Sequence, residues 1–150
     1  MSNRNWRSAA TLEDCVAVLL DRGADLLEST ESVINTESSI IFNLRVWAAI
    51  REVSDRLAKS NPWANALASY ADYATSGMMA RPAEGKGGLG ALAHLDRHAA
   101  QFVLSGESLA AARERVVSLF GRARLSATTS FDEWLLDEVR GAAKQRSALN

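Results

Sequence analysis

The sequence predicts an all-α fold, a single-domain bundle of five to six amphipathic helices, and three observations predict it. Apolar residues recur at intervals of three and four along most segments, which is the spacing of one helical face. Helix-start signals stand before these segments, at Thr11, at Asn61-Pro62 and in "SFDE". No segment alternates apolar and polar residues as a half-buried strand would.

The first helix follows Thr11, whose hydroxyl caps it, with Glu13 and Asp14 in its electropositive first turn. Its inner stripe reads Leu12, Val16, Leu19, Gly23, Leu26, Thr30 and Val33. Glycine weakens a helix relative to alanine, so Gly23 on this stripe predicts close approach by a neighbouring helix. After the polar break "STESVINTESS", a second helix is expected from near Asn35 or Thr36, with Ile40, Leu44, Trp47, Ile50, Val53 and Leu57 inward. Asn61 caps a third helix and Pro62 fits its first position, where a missing N–H is harmless. Trp63, Leu67, Tyr70 and Ala74 face inward on it, and Gly77 is the expected terminator. The stretch 77–88, with Pro82 and several glycines, is expected to be the longest connection. A fourth helix from about Leu89 to Leu104 turns Leu92, Leu95, Ala99 and Phe102 inward. "SGES" breaks it, and a fifth helix presents Leu109, Ala112, Val116 and Leu119. Ser130 and Glu133 form a capping-box pair that opens a last helix through Trp134, Leu135 and Val139. The domain expectation is an arm over 1–10, the bundle over 11–145 and a frayed tail over 146–150.

Composition narrows the function classes. At 150 residues and 47% hydrophobic content the chain can bury one sizeable core. A net charge of -1 gives no global field for nucleic acid or an acidic membrane, so such binding would need a local patch. The single cysteine, Cys15, cannot close an internal disulfide and reads as a small core residue suited to a reducing cytoplasm. The beginning of the sequence lacks the apolar run of a signal peptide, and no stretch approaches the length needed to span a bilayer. The excess of arginine over lysine and the abundance of alanine point to a bacterial, GC-rich source.

Two stretches invite a chemical reading. In "EGKGGLG", Gly85, Gly87 and Gly90 have the spacing of a dinucleotide-binding turn. That turn needs a strand before it, and Lys86 is followed by Gly87 where a Walker loop needs serine or threonine. No NAD, FAD or ATP site, and no other cofactor, is therefore expected. His94 and His98 share a helical face, but the chain holds no third histidine, and Asp96 lies two residues from each, pointing elsewhere. The expectation is no metal site and no catalytic constellation, hence no enzyme.

Two binding readings remain. Trp6, in a polar arm before the first helix, is a natural aromatic anchor for a protein partner. Arg113, Arg115, Arg122 and Arg124 form the local basic patch through which the alternative, a small helical subunit of a nucleoprotein complex, would grip phosphates. The leading expectation is a cytoplasmic adaptor, chaperone or assembly factor that receives an amphipathic helix of a partner protein. Nucleic acid is the less favoured partner, no membrane partner is expected, and self-association stays open.

"LLDRGADLLEST", then "IIFNLRVWAAI", then "NPWANALASYADYATSGM" resemble the layout of the FlaF family, small helical regulators of flagellin production in alphaproteobacteria. The resemblance rests on Leu19, Leu20, Asp21, Arg22, Leu26 and Leu27, then Ile41, Phe42, Arg45 and Trp47, and covers about residues 11–80. Val46 stands where family members usually carry leucine, and Asn61-Pro62-Trp63 where they show a proline-leucine pattern. The resemblance implies a non-enzymatic helical protein that works by binding another helical protein.

Overall fold

Thr11 starts the first helix as the sequence expects: its Oγ1 accepts from the Asp14 N–H at 3.1 Å, and the Asp14 carboxylate accepts from the Thr11 N–H at 3.1 Å. This reciprocal capping box satisfies two backbone donors that the helix leaves unpaired. In the computed structural model, which describes residues 10–29, 33–57, 61–80, 86–123 and 130–149, six helices follow in chain order. They are α1 (Leu12–Glu28), α2 (Val33–Leu57), α3 (Pro62–Ala80), α4 (Lys86–Leu104), α5 (Leu109–Ala123) and α6 (Phe131–Leu149). Among the described residues there is no strand, and no helix is long and apolar enough to cross a membrane.

The hub is α1, which packs on α2, α4, α5 and α6, while α2 also carries α3 and α6. Val16, Leu19 and Leu20 of α1, Val46, Trp47, Ile50, Val53 and Leu57 of α2, and Leu67 of α3 are sealed from solvent with Val116, Leu135 and Leu136. The α1–α4 seam is built from small residues, with Ala24 against Ala93 and Gly23 beside Asp96. A Cβ on Gly23 would stand 2.8 Å from Asn43 Oδ1 and 3.1 Å from Asp96 Oδ2, which is the close approach that its position on the inner stripe predicts.

Several expected faces and boundaries shift. Leu44 is only half-buried, because Phe42, Asn43, Val46 and Trp47 occupy the inner face of α2. Phe102 is exposed, since α4 turns Ala93, Asp96, Ala100 and Val103 inward alongside the expected Ala99. Leu95 and Leu119 pack on the core without being sealed in it. Helix α2 begins at Val33, two to three residues before the expected start. Helix α3 runs through Gly77 to Ala80, because Met78, Met79 and Ala80 are good helix formers that carry the segment past one glycine. The expected loop 77–88 thereby shortens at both ends, α4 starting at Lys86. Helix α6 is described through Leu149, into the stretch 146–150 expected as a frayed tail. The break at "SGES" matches the reading: Ser105 and Gly106 take positive φ, and Ser108 Oγ accepts from the Ala111 N–H at the start of α5.

Candidate functional site

Three groupings of polar and aromatic side chains stand out among the described residues. The first is a charged seam on α1. Asp14, Asp21, Asp25 and Glu28 stand seven, four and three residues apart, so they line one face of the helix. Arginines from α4 and α5 answer them. Arg115 holds Asp14 with two hydrogen bonds, at 2.7 and 2.9 Å, and reaches Glu107 at 3.3 Å. Arg113 donates to Asp21 Oδ2 at 3.0 and 2.5 Å, while Arg97 donates to Asp21 Oδ1 at 2.6 Å, to Asp25 at 2.9 Å and to Glu28. Burial works to raise the Asp14 pKa, but the bonds from Arg115 and Thr11 outweigh it and hold the carboxyl below its usual range. At the contact with α6, Arg22 of α1 and Arg45 of α2 clamp its start through Asp132 and Glu133. Glu133 also donates its N–H to Ser130 Oγ at 3.1 Å, so this cap forms while the Glu133 carboxylate serves Arg45.

The second grouping is buried. Asn43 of α2 donates its amide to Gly23 O at 3.1 Å and to Ser39 O at 2.9 Å. Trp47, one turn on, donates its indole N–H to Asp96 Oδ1 at 2.8 Å. Asn43 Oδ1 and Asp96 Oδ2 are sealed from solvent without a hydrogen-bond partner. Desolvation pushes the Asp96 carboxyl up to about 8, against smaller lowering by the Trp47 bond and the Arg97 charge.

The third is an exposed aromatic patch across α3 and α4. Tyr70 meets His98 and Phe102 edge to face, with ring centroids 6.0 and 6.2 Å apart. Tyr73, one turn from Tyr70, is 71% exposed, and Phe102 is 41% exposed. A shallow cleft of about 450 Å³ between α2 and α3 lies under Arg51 and Asp72, which pair with each other.

The residues singled out in the sequence distribute as follows. Arg113 and Arg115 do not form a free basic patch with Arg122, because each is bound to a carboxylate of α1; Arg122 is exposed. Arg124 and Trp6 lie outside the described residues. Lys86, Gly87, Gly88 and Gly90 are wound into the first turns of α4, and Gly85 lies outside the described residues. His94 and His98 are exposed while Asp96 between them faces the core. Among the described residues no group of three histidine, cysteine or carboxylate side chains converges to hold a metal. Cys15 is buried, and desolvation pushes its thiol up to about 12, leaving no thiolate to react at neutral pH.

The sequence reading does not place Asn43 and Asp96 in a site. Their signal was present, since Asn43 sits one turn before Trp47, and Asp96 falls on the stripe Ala93, Asp96, Ala100, Val103. The chain matches no family model, no curated protein and no solved structure.

Proposed function

We propose that the protein is a non-enzymatic helical adaptor, chaperone or assembly factor that binds a partner protein in the cytoplasm of a bacterium. The observation that carries this reading is the aromatic patch on α3 and α4 in which exposed Tyr73, His98 and Phe102 surround a half-buried Tyr70. Aromatic side chains give large contact area at low entropic cost, and they dominate binding energetics wherever they cluster at interfaces. The resemblance of residues 11–80 to FlaF proteins supports the same class of function and suggests a flagellin-related partner. The engagement of Arg113 and Arg115 with Asp21 and Asp14 favours protein over nucleic acid as the partner, since it leaves less free positive charge for phosphates.

The test is capture from the native host by the wild-type chain and by a Tyr73→Ser, Phe102→Ser variant with unchanged circular dichroism. The expected result is one co-purifying protein that resists added salt and is lost from the variant. Retention of nucleic acid that falls steeply with salt, or equal capture by the variant, overturns the reading.

A further inference from the structure

The Gly23–Asn43–Trp47–Asp96 cluster contains one acceptor too many. Asn43 Oδ1 and Asp96 Oδ2 both border the small space over the Gly23 Cα, 2.8 and 3.1 Å from the point that a Cβ would occupy. Neither has a donor, and both residues are sealed from solvent. Turning the Asn43 amide over does not help. Its NH₂ already serves the Gly23 and Ser39 carbonyls, so a flip would set the amide oxygen against both of them. Asp96 Oδ1 is fixed as an acceptor by the Trp47 indole N–H, which can only donate. The missing donor is a proton, and Asp96 Oδ2 is the place in the cluster that can carry it.

We propose that Asp96 is a neutral carboxylic acid whose Oδ2 hydroxyl donates to Asn43 Oδ1, so that one buried proton governs the packing of α1, α2 and α4. Loss of that proton places a carboxylate against a facing amide oxygen in a dry interior, and the seam over Gly23 must open or admit water.

The surrounding charges leave this state in place, because most of them are paired with one another. On α1, Asp21, Asp25 and Glu28 are held by Arg97 and Arg113, and Arg22 is held by Asp132. On α2, Arg51 pairs with Asp55 and with Asp72 of α3, and α3 also brings Tyr70 to His98. On α5, Arg113 points to Asp21 and Arg115 to Asp14, and on α4 itself His94 and His98 are exposed. Of these groups only Arg97 acts on Asp96 through its charge, and burial outweighs it, raising the acid from 3.8 to about 8.

The sign follows from linkage. An acid whose folded pKa lies above its unfolded value stabilises the fold fully below the unfolded pKa, and that contribution is lost as pH rises to the folded pKa. Asp96→Asn is the matching control, because its amide can donate to Asn43 and accept from Trp47 without titrating. The experiment is equilibrium denaturation of both proteins between pH 5 and 9. Relative to Asp96→Asn, the wild-type folding constant is expected to fall about tenfold per pH unit up to about pH 8 and then to level off. Parallel stabilities across this range overturn the proposal. A second readout does not depend on the variant: the Trp47 indole N–H resonance of the wild-type protein, assigned by Trp47→Phe, should shift with a midpoint near pH 8. A resonance that stays flat from pH 5 to 9 also overturns it.

Discussion

Asp14 and Asp96 are hidden from solvent to the same degree, 1% and 0% exposed, yet their surroundings treat them in opposite ways. Asp14 lies at the edge of the bundle, where Arg115 reaches in from α5 and the Thr11 N–H lies one turn away, so its charge is matched. At Asp96 the Trp47 indole serves one carboxyl oxygen, the other has no donor, and the Arg97 charge does not offset burial, so a charge there would not be matched. Burial alone therefore says little about a carboxylate; the reach of the neighbouring side chains decides its state. The two residues also give opposite pH dependences. Asp14, lowered in the fold, stabilises above its unfolded pKa of 3.8, and that contribution disappears as pH falls through its folded value. Asp96, raised in the fold, loses its contribution as pH climbs toward about 8.

Breaking the charged seam has the largest expected effect. Changing Arg97 and Arg113 together to alanine leaves the Asp21 carboxylate, 1% exposed, with neither of its arginines. A loss of about 3 kcal/mol is expected in urea denaturation, because the carboxylate loses its charged hydrogen bonds on both oxygens. Gly23→Ala strikes the uncharged cluster. The new methyl group must displace the Asn43 amide from its two carbonyls, at an expected cost of about 1 to 3 kcal/mol, read as a lower urea midpoint. Tyr73→Ser, on the exposed patch, touches neither carboxylate and should change stability by less than about 0.5 kcal/mol in the same measurement. If Tyr73→Ser proves as costly as Gly23→Ala, the patch is structural and not a free surface.

The parts of this arrangement that follow local rules were legible in the sequence. The Thr11 cap, the Ser130 cap, the buried Cys15 and the close approach at Gly23 each depend on residues within a turn or two, or on one stripe. The charged seam was half legible. The acidic face of α1 can be counted from its spacing, but the partner of Arg115 lies 101 residues away, and no local pattern connects them. Arg113 and Arg115 consequently read as a solvent-facing basic patch. The buried cluster was hidden for another reason. A stripe drawn through apolar residues steps over Asn43 and Asp96 and so turns the expected face onto Leu44 and Phe102. A polar residue flanked on its own stripe by alanine or tryptophan is the signal that would have placed the face correctly.

Following the side-chain carboxyl carbons of the aspartates by NMR across a pH titration tests the contrast between Asp14 and Asp96 most directly. Asp14 is expected to titrate below 3.8, whereas Asp96 keeps the chemical shift of a protonated acid through neutral pH and changes with a midpoint near 8. An Asp96 carboxyl already ionised at pH 6, with its midpoint in the ordinary carboxylate range, would contradict it.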